Sequence, residues 1–181
     1  MRGPCTGIWR LLGLTALLLA GPGVNLAQEA GAANEAQEPA LLIAGWTMYG
    51  LVDDEQVHGA FAEWRGRPFW AGLSPWISGG LNEGGSAHAG AGLAYGIDLG
   101  PRFRVTAAVG PAWFDGGNTL ELGSTFEVFS SLELAWKLRD GKRIALSGGH
   151  VSNAGANDIN PGSEFVRLGV QIPLGRARTR R

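Results

Sequence analysis

The clearest structural signal in this chain is the alternating stretch Thr125-Phe126-Glu127-Val128-Phe129-Ser130-Ser131-Leu132-Glu133-Leu134-Ala135-Trp136-Lys137-Leu138. Its even-numbered positions are apolar except for one serine, whereas the odd-numbered positions carry most of the charged and small polar side chains. Alternate side chains of a β-strand point to opposite faces of the sheet. The stretch therefore predicts a strand with one apolar and one polar face.

Segments on both sides of this strand are short, rich in glycine, aromatic and β-branched residues, and without a helical period. We predict eight strands, at about 41–51, 56–64, 68–80, 86–99, 102–115, 123–138, 142–152 and 164–174. Three tight connections, Arg65 to Pro68, Gly100-Pro101 and Arg139 to Lys142, alternate with longer ones at the opposite end.

Two architectures accommodate such strands: a soluble sandwich or barrel with a dry interior, and a membrane barrel with an apolar exterior. The strand lengths and the alternation of short turns with longer loops favour the second. We therefore expect an all-β fold, an eight-stranded antiparallel up-and-down transmembrane β-barrel. The soluble sandwich stays open as the alternative.

The barrel is expected to occupy residues 41–174. Residues 1–27 contain an apolar run flanked by arginines and predict a signal peptide, with a retained N-terminal anchor as the alternative. Residues 28–40 lack apolar periodicity and predict a flexible lead-in, and residues 175–181 form a basic C-terminal tail. Cys5 lies within the predicted signal peptide, so the mature chain would offer neither a disulfide nor a thiolate metal site.

The charge of the mature chain argues against a nucleic-acid partner. Cleavage after Ala27 leaves 181 − 27 = 154 residues, with 15 − 2 = 13 Lys and Arg against 16 Asp and Glu, a formal charge of −3. A nucleic-acid-binding domain is usually basic. We expect no nucleic acid among the partners.

The residue types that acyl transfer at a serine requires occur together near the C-terminus. His150 and Ser152 share one face of the seventh strand with Ile144 and Leu146, and Glu164 begins an apolar face of the eighth. Serine is a nucleophile when a histidine accepts its proton, and a carboxylate orients that histidine. If the apolar face meets lipid, the three side chains point outward at the loop end of the wall, where ionisable groups are costly and usually functional.

The other histidines fit this chemistry less well. His88 lies close to Glu83 and Ser86, but it shares its face with glycines and Asp98, which predicts a position in the lumen or a loop. His58 begins the second strand without a nearby serine. The alternative for His150 is a hydrogen-bonded histidine at the barrel rim.

The stretch His150-Val151-Ser152-Asn153-Ala154-Gly155, followed by Asn160-Pro161-Gly162 and Glu164, resembles the active-site segment of the lipid A 3-O-deacylases (PagL), also grouped as acyloxyacyl hydrolase-like proteins. The resemblance implies an outer-membrane esterase that removes the 3-hydroxyacyl chain at position 3 of lipid A in lipopolysaccharide, with no cofactor and no metal. It implies Ser152 as nucleophile, His150 as general base and acid, and Glu164 as the residue that orients His150. Asn160 and the N–H of Gly155 resemble oxyanion-stabilising groups, and Asn153 resembles a supporting polar residue.

The resemblance also places the protein in the outer membrane of a Gram-negative bacterium, with outer-membrane lipids as neighbours and the active site at the outer leaflet; a homodimer is left open. One departure is the basic tail, because barrels of this kind commonly end on an aromatic residue. Two other functions stay open: a catalytically silent outer-membrane barrel with a structural or adhesive role, and a soluble periplasmic lipid-binding barrel. Six tryptophans fit either of two roles, belts at the membrane interfaces or ordinary packing within the barrel: Trp46, Trp64, Trp70, Trp76, Trp113 and Trp136.

Overall fold

The computed structural model describes residues 38–52 and 56–175. In these ranges the chain forms eight β-strands and one short 3-10 turn at Glu83–Gly85. The strands are β1 Ala40–Tyr49, β2 Val57–Arg65, β3 Leu73–Asn82, β4 Ala87–Leu99, β5 Phe103–Asp115, β6 Phe126–Lys137, β7 Arg143–Ser152 and β8 Ser163–Leu174. Each strand pairs with its sequence neighbours, and β1 pairs with β8, all antiparallel, so the sheet closes. The predicted eight-stranded antiparallel barrel is confirmed.

Several sequence-based expectations concern segments outside the described residues. These are the signal peptide at 1–27, most of the lead-in, the acidic loop at 53–55, and the basic tail beyond residue 175. They stay predictions. No helix in the described ranges is long and apolar enough to cross a membrane.

The third strand begins later than predicted, at Leu73 instead of about residue 68. Residues 66–72 form the β2–β3 connection, in which Ala71 and Gly72 both have positive φ. The N–H of Leu73 donates to the carbonyl of Trp70, which closes a turn just before the strand. The predicted tight connection from Arg65 to Pro68 is therefore wrong: the apolar residues after Pro68 belong to this turn.

The two faces of the barrel wall differ as the alternation predicts. In β6, Leu132 is 61% exposed and Trp136 is 48% exposed, whereas Glu127 and Ala135 are fully buried in the lumen. The same alternation runs through the other strands, so the outer surface carries a band of apolar side chains. An apolar outer band is typical of barrels that span membranes.

The lumen is filled by two kinds of side chain. At the end where the chain enters β1, Arg65 contacts Glu63 at 2.7 Å and Glu133 at 2.9 Å, and Arg143 contacts Glu38 at 2.7 Å. Removing one member of such a buried ion pair leaves an uncompensated charge and typically costs ~3–5 kcal/mol. These pairs therefore fix the strands of this end against one another.

The opposite half of the lumen is aromatic and apolar. The ring centroid of Tyr49 lies 5.9 Å from that of Phe114 and 5.7 Å from that of Phe165. Val151, fully buried, belongs to the same cluster. Because Val151 lies between His150 and Ser152 in β7, the cluster holds this part of the wall from behind.

Trp76 also lies in this inner cluster, with only 6% of its surface exposed. Of the two alternatives left open for the tryptophans, interior packing therefore holds for Trp76. The other five tryptophans of the proposed belts are 40–71% exposed. They agree with contact between the outer surface and a membrane interface.

Candidate active site

His150 and Ser152 lie on the outer face of the barrel wall, at the end of β7. Their strand neighbours alternate in exposure: Leu146 is 54% exposed, whereas Val151 is fully buried. Both His150 and Ser152 are partly buried. The alternation of faces along β7 predicts that both side chains point outward, and in the structure they do. They therefore lie on the same face as the apolar band.

Glu164 faces His150 directly across the β7–β8 ladder. The two residues are register partners, and Nδ1 of His150 lies 3.5 Å from Oε1 of Glu164. The side chain of His150 is 11% exposed and that of Glu164 is 36% exposed. A carboxylate at Nδ1 favours the tautomer in which this nitrogen carries the proton and Nε2 can accept one.

The backbone of Glu164 is fixed by the end of β1. Its carbonyl accepts hydrogen bonds from the N–H groups of Gly50, at 3.0 Å, and Leu51, at 3.4 Å. The N–H of Gly50 also donates to the hydroxyl of Ser163 at 3.0 Å, and Ser163 is buried. The carboxylate therefore projects from a segment that two strands and a buried serine hold in place.

Gly162 packs against the Cε1–Nε2 edge of the His150 imidazole. A Cβ atom built on Gly162 would lie 2.7 Å from Cε1 and 2.8 Å from Nε2 of His150, closer than real Cβ atoms come. Its φ of 65° is also in the left-handed region that favours glycine. The sequence shows Asn160-Pro161-Gly162 as a motif, but it assigns no role to this glycine.

Asn153 organises the loop between β7 and β8. It is fully buried, and its amide nitrogen donates to the carbonyl of Ile159 at 2.7 Å while its Oδ1 accepts from the N–H of Gly155 at 3.0 Å. The backbone N–H of Asn153 donates to Oδ1 of Asn160 at 3.0 Å. Three hydrogen bonds thus tie the loop to the residue after Ser152.

The turn that leaves β7 has an unusual backbone. Ala154 and Gly155 both have positive φ, 54° and 82°, and the N–H of Ala156 donates to the carbonyl of Asn153 at 3.0 Å. A left-handed conformation is unfavourable for alanine and is often found beside functional sites. The Asn153 hydrogen bonds described above hold this turn two residues after Ser152.

The loop hydrogen bonds involve both expected oxyanion donors, Asn160 and the N–H of Gly155. Because Oδ1 of Asn160 accepts from a backbone N–H, its Nδ2 group is directed elsewhere and is a donor. The N–H of Gly155 donates to Asn153 in this structure. Asn153 makes these bonds, and its supporting role in catalysis stays a prediction. Asn160 is exposed.

The two other histidines occupy different environments. His88 is buried in the lumen, where Nδ1 lies 3.3 Å from the hydroxyl of Tyr49 and Nε2 lies 3.2 Å from Arg167. His58 stacks on Trp46 with ring centroids 5.6 Å apart. The lumen position predicted for His88 is confirmed, and it separates His88 from the outward-facing serine. Among the described residues no group of three or more His, Cys, Asp and Glu could hold a metal ion.

A closed eight-stranded barrel with serine, histidine and glutamate on its outer wall defines a narrow class of protein. The chain belongs to the lipid A 3-O-deacylase (PagL) family, whose model matches residues 42–173. No curated protein matches the chain.

Solved structures agree on the fold. The crystal structure of the outer membrane enzyme PagL is similar with a TM-score of 0.57 and 20% identity, over 74% of this chain and 99% of that one. A de novo designed transmembrane β-barrel is similar with a TM-score of 0.54 and 10% identity, over 76% and 98% of the two chains. The solution NMR structure of the de novo designed protein TMB2.3 is similar with a TM-score of 0.51 and 11% identity, over 77% of this chain and 98% of that one.

Proposed function

We propose that this protein is an outer-membrane serine esterase that removes the ester-linked 3-hydroxyacyl chain at position 3 of lipid A. The observation that carries the proposal is the outward-facing pair of His150 and Glu164, 3.5 Å apart, with Ser152 on the same face of the same wall. Membership of the lipid A 3-O-deacylase family supports the choice of substrate.

The orientation of the site suits a lipid substrate. Ser152 and His150 open toward the apolar band of the outer wall and lie at the same end as the β7–β8 loop. In a barrel whose longer loops face the cell exterior, this end is level with the outer leaflet. An ester within that leaflet could reach Ser152 sideways, without entering the packed lumen.

In the proposed first step, Nε2 of His150 takes the proton of Ser152 as Oγ attacks the ester carbonyl carbon. The carbonyl π electrons move to oxygen, and Glu164 stabilises the imidazolium through Nδ1. When the tetrahedral intermediate collapses, the bond to the sugar oxygen breaks and His150 returns the proton to that oxygen. The acyl chain is then esterified to Ser152.

In the second step, His150 removes a proton from water, and the hydroxide attacks the acyl-serine. Collapse releases the 3-hydroxy fatty acid and returns the proton to Oγ of Ser152. Nδ2 of Asn160 is the proposed donor to the oxyanion in both steps, a contribution worth ~3–4 kcal/mol of barrier in comparable sites. The N–H of Gly155 is a second proposed donor. It would leave Oδ1 of Asn153 and donate to the oxyanion instead.

Mass spectrometry of lipid A, before and after incubation with the purified protein, tests the proposal. The wild-type protein should release one 3-hydroxyacyl chain from an ester position, and Ser152→Ala should abolish this release. Ser130→Ala is the control for a neighbouring hydroxyl and should keep its activity, because the exposed Ser130 of the adjacent strand donates to the backbone carbonyl of His150, at 3.4 Å, and not to its imidazole. Full activity in Ser152→Ala would remove this residue from the mechanism, and an inactive wild-type protein would favour a silent barrel.

A further inference from the structure

The charged side chains are divided between the two ends of the barrel. Among the described residues, every lysine and arginine except the buried Arg167 lies at the end that carries the β2–β3, β4–β5 and β6–β7 connections, here called the turn end. The longer loops at the opposite end carry exposed acidic side chains: Glu83, Asp115, Glu121 and Asp158. The turn end is therefore the basic end of the molecule.

Most of the basic side chains at the turn end have carboxylate partners. Besides the ion pairs of the lumen, Arg104 and Lys137 contact Asp98 at 2.7 Å and 2.8 Å, and Lys142 contacts Asp140 at 2.9 Å. Three exposed arginines, one in each connection, have no carboxylate within ion-pair distance in the described part of the chain. These turn arginines are Arg67, Arg102 and Arg139.

Exposed aromatic side chains accompany all three turn arginines. Phe69 and Trp70 follow Arg67, Phe103 follows Arg102, and Trp136 precedes Arg139. Trp70 is 71% exposed and Phe69 is 55% exposed. In membrane barrels, aromatic side chains at the ends of the wall mark the level of the lipid headgroups. Each connection thus places a cation beside an aromatic ring at that level.

The β2–β3 connection holds its two aromatic residues on a fixed backbone. The N–H of Phe69 donates to the carbonyl of Leu73 at 2.9 Å, and the N–H of Leu73 donates to the carbonyl of Trp70 at 2.9 Å. Between them, Ala71 and Gly72 have positive φ, and a left-handed conformation is unfavourable for alanine. The turn therefore keeps both rings exposed at a cost in backbone strain.

We propose that the turn end binds anionic glycerophospholipids of the inner leaflet of the outer membrane. The short turns of an outer-membrane barrel face the periplasm, which places the turn arginines at the inner leaflet. A guanidinium group forms paired hydrogen bonds with phosphate oxygens, and an adjacent aromatic ring packs against the glycerol esters and the first methylene groups of the lipid.

The spacing of the three connections favours lipid over a protein partner. In the closed barrel β1 to β8 follow one another around the wall, so the β2–β3, β4–β5 and β6–β7 connections lie on different sides. A leaflet surrounds the barrel and contacts all three sides at once. The inference uses the membrane location of the barrel but neither Ser152 nor the identity of the substrate, so it does not depend on the esterase.

Native mass spectrometry of the folded full-length protein in a non-ionic detergent tests the proposal. The protein is titrated with phosphatidylglycerol and, separately, with phosphatidylcholine of the same acyl chains. The wild type should bind phosphatidylglycerol at least about tenfold more tightly, and each substitution Arg67→Gln, Arg102→Gln or Arg139→Gln should weaken binding at its own turn by about fivefold. The triple variant should bind the two lipids alike.

Lys142→Gln is the matched control, because Lys142 lies at the same end but already pairs with Asp140. It should leave the preference for phosphatidylglycerol unchanged. Phe69→Ala with Trp70→Ala should weaken binding of both lipids equally, since the rings do not distinguish headgroup charge. Heat-modifiable migration on a gel should report a folded barrel in every variant.

Equal binding of the two lipids by the wild type would overturn the proposal and leave the turn arginines to a protein partner. A preference for phosphatidylglycerol that survives in the triple variant would also overturn it, because the anionic lipid would then bind elsewhere, such as at the basic tail. A lipid preference in a protein without deacylase activity would refute the esterase and retain this inference.

Discussion

The imidazole of His150 and the carboxylate of Glu164 meet across two adjacent strands, with Nδ1 and Oε1 3.5 Å apart. The two residues are direct register partners, so the β7–β8 ladder itself fixes their separation. At 3.5 Å the contact is at the long limit of a hydrogen bond, and the carboxylate is still close enough to stabilise an imidazolium that forms there. Because Glu164 lies at Nδ1, Nε2 is the nitrogen that we propose takes the serine proton.

The first prediction separates the roles of these two residues. His150→Ala removes the base and should cost at least about a thousandfold in kcat, whereas Glu164→Ala removes only orientation and charge support and should cost less. The kcat of Glu164→Gln should lie between that of the wild type and that of Glu164→Ala. Steady-state kinetics on one ester substrate measures all three. A Glu164→Gln protein as active as wild type would show that the carboxylate charge is not used.

The second prediction concerns pH. Protonated His150 cannot accept the proton of Ser152, so kcat/KM should fall as the pH drops through the titration of this imidazole. The decline should be tenfold per pH unit well below that titration, because a single proton is involved. A pH profile of kcat/KM between mildly acidic and neutral pH measures it, and a flat profile would argue against a histidine base.

The sequence predicts the fold and the outward site because both depend on the period of two along a strand. In β6 the alternation of Leu132 and Leu134 with Glu133 is enough to assign the faces, and the same parity places His150 and Ser152 outside. Once eight antiparallel strands are counted, closure follows from pairing the first with the last. Neither the barrel fold nor the outward orientation of the site depends on how a loop is folded.

Features that depend on the path of a connection could not be predicted in the same way. The turn before β3 depends on the positive φ of Ala71 and Gly72, which the apolar sequence there conceals. The contact of Gly162 with His150 depends on how a ten-residue connection, residues 153–162, returns to the wall. For Trp76 the sequence left a belt position and interior packing open, and the structure places it in the interior.

The third prediction follows from Gly162. Gly162→Ala places a methyl group against Nε2 and Cε1 of His150 and should displace the imidazole, with a loss of activity of about 100-fold. Gly141→Ala is the control, because Gly141 also has positive φ but its built Cβ lies 3.7 Å from its nearest neighbour, Pro173. Activity and thermal unfolding of both variants make the comparison. Equal losses of activity would mean that backbone strain, and not the imidazole contact, is responsible.

The fourth prediction concerns the loop. Asn153→Ala removes two hydrogen bonds made by a buried amide and should lower the free energy of unfolding by ~1–3 kcal/mol in total, about 0.5–1.5 kcal/mol for each bond, because the partner groups of Ile159 and Gly155 lie in exposed residues. Asn157→Ala is the control, since the amide of Asn157 makes one exposed hydrogen bond of 3.3 Å to Gly123. Denaturant unfolding measures both. A control that costs as much as Asn153→Ala would contradict the organising role assigned to the buried amide.

The last prediction tests the face assignment independently of the chemistry. Single cysteines at Ser152 and Leu168 should carry spin labels on the outer wall, whereas cysteines at Val151 and Ser147 should carry them toward the lumen, because these two side chains are buried. In lipid, dissolved oxygen should relax the outward labels more strongly than the inward labels, and heat-modifiable migration should show that each labelled barrel is folded. A one-residue shift of register exchanges the two faces of a strand. If Val151 reported lipid and Ser152 reported a polar interior, an ester in the outer leaflet could not reach the proposed nucleophile from the side, and the esterase mechanism would fail with the face assignment.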